Sequence, residues 1–91
     1  MTDAEKLNLL KQDLQRMTTA NDVLLVALLQ QAASAIKKEG ITLAPDDIEC
    51  DMLQIQYAAY LFRKRGAPDT AMPRYLRYEL NNMLMSQKGK P

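Results

Sequence analysis

The residues able to do chemistry in this chain fall into charged clusters. Asp46, Asp47, Glu49 and Asp51 crowd the stretch 46–51, and Arg63, Lys64 and Arg65 form an unbroken basic run. The acidic cluster lacks the glycine and the alternating oxygen ligands of a calcium loop, so no cation is expected there. Nucleophilic catalysis needs a Ser, Cys, Thr or Lys beside a base. The chain has no histidine, and Ser34 and Ser86 sit far apart in helical contexts. Cys50 stands near a predicted helix start, which favours a thiolate, but the surrounding carboxylates oppose it. An inert, packed thiol is expected. One cysteine without histidine is also a poor zinc ligand set. Gly40, Gly66 and Gly89 are isolated, so no glycine-rich phosphate loop exists. The expectation is no enzyme, no metal and no cofactor.

The basic residues offer a different chemistry. Arg74-Tyr75-Leu76-Arg77-Tyr78 repeats arginine and tyrosine at three-residue spacing. On a helix this puts Arg74 and Arg77 on one stripe and Tyr75 and Tyr78 on the next. An arginine stripe at a helix start suits phosphate groups. The preferred expectation is plainer: half-buried tyrosines with their hydroxyls outward, beside solvated arginines. A helix-turn-helix needs a turn of three or four residues, and the stretch from Arg65 to Met72 is too long for one. Met17, Met52, Met72, Met83 and Met85 read as core fillers, although methionine also serves adaptable contact surfaces.

The elements that must position these clusters are helices. The pattern predicts an all-α, compact bundle of about four helices, at 3–17, 22–39, 46–65 and 73–86, with short loops. Residues 1–91 form a single domain, and 87–91 are expected to be a flexible tail. Thr2 and Glu5 form a capping box ahead of the stripe Leu7, Leu10, Leu14 and Met17. The second helix buries Leu25, Leu28, Leu29, Ala32 and Ile36. Its first two turns are apolar nearly all round, as for a helix enclosed by neighbours. Lys37 and Lys38 suit its C-terminal dipole, and Gly40 stops it. Asp46 and Glu49 are candidates for a second capping box, followed by the stripe Ile48, Met52, Ile55, Ala59 and Phe62. Pro73 opens the last helix, with Met72, Leu76, Leu80, Met83 and Leu84 on its apolar face.

A chain of 91 residues buries about 60–65% of its surface and is marginal alone. With a single cysteine no intrachain disulfide can form, which leaves partner subunits as the expected source of further stability. Residues 1–6 carry no apolar signal-peptide core, and the run Val23–Leu29 is far below the ~20 residues of a membrane span. A cytosolic protein without membrane contact is expected. Charge is asymmetric: residues 1–51 hold nine acidic and five basic side chains, while 52–91 hold two and seven. Such asymmetry points to nucleic acid or to complementary surfaces between subunits.

Three stretches keep a characteristic order and spacing: Asp22-Val23-Leu24-Leu25 through Ala32-Ala33-Ser34-Ala35-Ile36, then Tyr57-Ala58-Ala59-Tyr60-Leu61-Phe62-Arg63-Lys64-Arg65, then Met72-Pro73-Arg74-Tyr75-Leu76-Arg77-Tyr78-Glu79-Leu80-Asn81-Asn82. Over about 22–84 the chain thereby resembles the small head–tail connector (adaptor, head-completion) proteins of tailed bacteriophages and prophages. It departs from them in the short connector between its second and third helices. The resemblance implies a structural protein that forms a homo-oligomeric ring under the phage portal protein after DNA packaging. The ring extends the DNA channel and receives the next head-completion or tail protein. The resemblance also implies the host bacterial cytoplasm and then the head–tail junction of the virion as its location. It carries no catalytic residues.

A ring with head-to-tail contacts needs two different, complementary patches per subunit. Asp46, Asp47, Glu49 and Asp51 are the candidates for one patch. Arg63, Lys64, Arg65, Arg74 and Arg77 are the candidates for the other, facing a neighbouring copy or the portal. Arg74, Arg77 and Lys88 are candidates for non-specific, salt-sensitive contact with DNA in the channel. Two alternatives stand beside this reading: a small DNA-binding regulatory protein using 63–77, and a general helical interaction module.

Overall fold

A computed structural model describes residues 1–15 and 20–88 as four helices: α1 (Asp3–Asp13), α2 (Asp22–Lys38), α3 (Ile48–Gly66) and α4 (Arg74–Lys88). The expected all-α bundle is present, and among the described residues there is no strand. No described helix is long and apolar enough to cross a membrane.

The helix ends follow from local chemistry. Thr2 Oγ1 accepts from the Glu5 amide at 3.1 Å, and Glu5 Oε1 accepts from the Thr2 amide at 2.9 Å, completing the predicted capping box. These bonds hold the Glu5 carboxyl below its ordinary range. α1 ends sooner than its periodicity predicts. Leu14 caps it through bonds to Leu10 and Gln12, and Gln15 takes a left-handed φ of 58°. Met17, placed on the predicted stripe, lies outside the described residues. α2 stops where expected, with Gly40 at φ 97°, a conformation glycine adopts without steric cost.

The second predicted capping box is not formed. Asp46 takes φ 60° in the turn, and Asp47 is the N-cap instead. Asp47 Oδ1 accepts from the amides of Glu49 at 2.9 Å and Cys50 at 3.4 Å. One oxygen thus meets the second and third amides of α3, and the helix opens at Ile48 rather than Asp46. The Pro73 carbonyl accepts the first bonds of α4 from Leu76 and Arg77. α4 also runs past its predicted end at 86. The Gln87 amide spans the Thr42 backbone, accepting from its N–H at 2.8 Å and donating to its carbonyl at 2.7 Å. Gln87 is therefore anchored rather than part of a tail, and 89–91 lie outside the described residues.

α3 is the central helix, packed against the other three. Two clusters share it. One joins Leu10 of α1 and Leu25, Leu28, Leu29 and Ala32 of α2 to Ile55, Ala58 and Ala59. The other joins Ile36 and Ile41 to Leu53, Tyr60, Leu76 and Leu80. Tyr57 and Leu61 pack against both. The buried face of α2 is the predicted one. The buried face of α3 is not. Ile55 and Ala59 are inside as expected, but Ile48 is 60% exposed and Met52 projects at the surface, while Cys50, Leu53 and Tyr60 are buried. Neighbours on several sides widen and rotate the buried arc of a central helix, so the predicted single stripe loses its first members. The Cα body is a flat slab of 45 × 31 × 18 Å.

Candidate functional site

The acidic cluster at the start of α3 is divided by the fold. Asp51 is 5% exposed and ion-paired inside the chain, to Lys6 Nζ at 3.4 Å and the Met1 ammonium at 3.2 Å. Its hydrogen bond raises the pKa of that ammonium. Lys6 also donates to Gln54 Oε1 at 2.9 Å, and Gln54 Nε2 donates to the Leu29 carbonyl at 2.9 Å, linking α1, α2 and α3 through one buried polar chain. Asp51 is thus removed from the predicted intersubunit set, because a buried, doubly paired carboxylate presents nothing outward. Asp47 is occupied by its capping bonds. Asp46 is exposed, with Oδ1 3.6 Å from the Met1 ammonium. The Glu49 carboxylate is exposed and has no charged partner among the described residues.

Cys50 is buried, its Sγ 3.9 Å from the Thr42 carbonyl. Burial pushes its thiol up, and the charges of Asp47 and Asp51 add to the effect. No group of three or more His, Cys, Asp or Glu that could hold a metal exists among the described residues.

The basic set is divided as well. Arg63 Nη2 reaches Asp13 Oδ2 at 3.3 Å and the Asp13 carbonyl at 3.4 Å, tying the end of α3 to the end of α1. Arg77 Nη1 meets Glu39 Oε1 at 2.8 Å, a bond that raises the guanidinium pKa and ties α4 to the end of α2. Lys64 Nζ lies 5.7 Å from the Tyr60 ring centre. Arg65 and Arg74 are exposed and without a charged partner among the described residues. The proposed DNA-contacting trio does not form one patch. Arg74 and Arg77 share the first turns of α4, whereas Lys88 lies about 21 Å from Arg74 and about 17 Å from Arg77 along its axis.

Sequence reasoning missed several surface features. Val23 is 87% exposed, with Val26 and Ala27 open beside it, so the start of α2 is not enclosed on all sides. Tyr75 is half-buried as expected, at 53% exposed, but Tyr78 is more open, at 67%. Ile48, Glu49, Met52, Leu53, Gln56 and Glu79 line a hollow of about 280 Å³ between α3 and α4. A larger hollow of about 430 Å³ at the other end of α3 is lined by Leu28, Gln31, Leu61, Lys64, Arg65 and Pro68. Arg65 also borders a neighbouring hollow with Leu24 and Phe62. Glu79 carried a usable signal, since it is an isolated acid in the basic half of the chain. The two hollows carried none, because each needs residues from separate helices.

The arrangement offers surfaces of opposite charge with apolar floors, one around Glu49 and Glu79 and one around Lys64 and Arg65. Against known proteins, no family model, no curated protein and no solved structure matches this chain.

Proposed function

We propose that the chain is a structural assembly subunit: a head–tail connector of a tailed phage or prophage. Copies form a ring under the portal that extends the DNA channel and receives the next head-completion or tail protein. The resemblance over about 22–84 supplies the identity of the assembly. The observation that carries the reading is the pairing of complete cores with uncovered apolar side chains. Ile48 with Met52 on α3, and Val23 with Val26 on α2, remain open at helical spacing on outer faces. Apolar surface left beside unpaired charge is what a subunit interface uses.

Electron microscopy of the purified protein, alone and mixed with portal particles of the same phage or prophage, tests the reading. Rings, or an added layer of density on the portal, are the expected result. Free monomers and undecorated portals at every concentration would reject it.

The DNA-binding reading retains one favouring observation, the exposure of Tyr75 and Tyr78 beside Arg74. Aromatic faces next to arginine are the usual means of stacking bases against a protein. Retarded migration of duplex or single-stranded DNA by the purified protein, with no rings formed, is the result that would favour it.

A further inference from the structure

The two hollows flanking α3 are opposite in charge and cannot meet within one molecule. Glu49 and Arg65 are sixteen residues apart on one helix, about 24 Å along its axis. The patch of Ile48, Glu49, Met52 and Gln56 and the patch of Leu61, Lys64 and Arg65 also point about 160° apart around it. The first adjoins Glu79 of α4, and the second adjoins Leu28 and Gln31 of α2.

Their apolar parts are complementary too. Ile48 projects from the first turn of α3, 60% exposed, with Met52 one turn further on. At the other end, Leu28, Leu61 and Pro68 wall a recess rimmed by Lys64 and Arg65. The carboxylates of Glu49 and Glu79 have no cation within reach among the described residues, and the Arg65 guanidinium has no anion.

We infer that copies of this chain associate head to tail: Ile48 and Met52 of one copy enter the recess between α2 and α3 of the next, with Glu49 and Glu79 meeting Arg65 and Lys64 across the contact. This deepens the assembly reading and rests on it for naming a second copy as the partner. Both ends and both faces of α3 are used, so the contact is heterologous and propagates instead of stopping at a dimer. It also narrows the charge pairing expected from sequence, since Asp47, Asp51, Arg63 and Arg77 are engaged inside the chain.

Complementary charge reversal tests it. In Glu49→Arg the introduced arginine faces Arg65 of the next copy, and in Arg65→Glu the introduced glutamate faces Glu49, so each variant repels itself at that pair while Glu79 and Lys64 keep their charges. Mixed together, the two restore opposite charge at every contact of an alternating array. The expected result in analytical ultracentrifugation is wild-type self-association, about tenfold or more weaker association of each variant alone, and recovery on mixing at equal ratio. Circular dichroism confirms that each variant is folded, and Glu79→Lys with Lys64→Glu provides a second pair with the same logic. Wild-type protein that stays monomeric to millimolar concentration, variants that associate like wild type, or a mixture that fails to recover would each overturn the inference. Portal decoration unaffected by either reversal would overturn the contact while leaving the connector reading intact. Recovery on mixing without portal docking would support the contact and sink the connector reading alone.

Discussion

Asp47 Oδ1 lies 2.9 Å from the amide of Glu49, and that bond makes Asp47 the cap of the central helix rather than a surface acid free for a partner. It also separates neighbouring residues of one acidic cluster into different roles. Asp47 starts α3, Asp51 is buried against Lys6, and Glu49 is left outward.

Replacing the cap separates structure from assembly. Asp47→Ala is expected to lower stability by about 1 kcal/mol, because α3 loses the acceptor for two amides. Asp47→Asn keeps an acceptor and is expected to lose only a small part of that, with self-association unchanged. Thermal melts of the two variants, read beside their sedimentation, check this. Equal loss in Asn and Ala would mean that charge, not capping, is what Asp47 supplies.

The buried pair of Lys6 and Asp51 is expected to show energetic coupling. Asp51→Leu removes the anion paired with both the Lys6 and the Met1 ammonium, leaving Lys6 its bond to Gln54, and is expected to cost about 3 kcal/mol. Lys6→Met leaves Asp51 its contact with the Met1 ammonium and costs less. A double-mutant cycle in urea is expected to give a coupling of about 1 kcal/mol or more. Strict additivity would show that the pair contributes no mutual stabilisation.

Truncating the second core tests whether α4 is integral to the fold. Leu80→Ala removes a side chain that is fully buried against the Ile36 and Leu53 cluster, at an expected cost of about 2–5 kcal/mol. Total stability is on the order of 5–15 kcal/mol, so the melting transition should shift far enough to be unmistakable. A shift no larger than that of Tyr78→Ala, a change at an exposed position of the same helix, would mean that α4 is peripheral.

Alkaline pH is expected to destabilise the protein through groups whose folded pKa lies above the unfolded one. The buried Cys50 thiol is raised above its ordinary 9.0, the Tyr57 phenol above 10.0 and the Met1 ammonium above 8.0. Each binds its proton more tightly when folded. Its contribution is complete below the unfolded pKa and is lost as pH rises through the folded value. Stability should therefore decline from about pH 8 upward, and Cys50→Ala should flatten the part beginning near 9.0. An unchanged alkaline slope in Cys50→Ala would assign the loss to the other two groups.

The conformation at Gly40 gives a last, local test. At φ 97° an alanine is strained although its Cβ would meet Leu84 Cδ1 only at an ordinary 3.4 Å. Gly40→Ala is expected to cost about 1–2 kcal/mol through the backbone alone. Adding Leu84→Ala should not relieve that cost, and relief in the double variant would point to crowding instead.

Much of the architecture is written in short-range pattern. The capping box of Thr2 and Glu5, the stop at Gly40, the opening of α4 after Pro73 and the buried face of α2 all depend on residues within a few positions of one another, so spacing is enough to read them. Periodicity tells which residues share a helix face, but not which face meets another helix. Only packing showed that Ile48 and Met52 lie outside the core while Leu53 and Tyr60 lie within it, because α3 receives neighbours on several sides. The same holds for charge. Arg63 finds Asp13 and Arg77 finds Glu39 across fifty and thirty-eight residues of chain, and what remains unpaired at each end of α3 is settled by those distant partners.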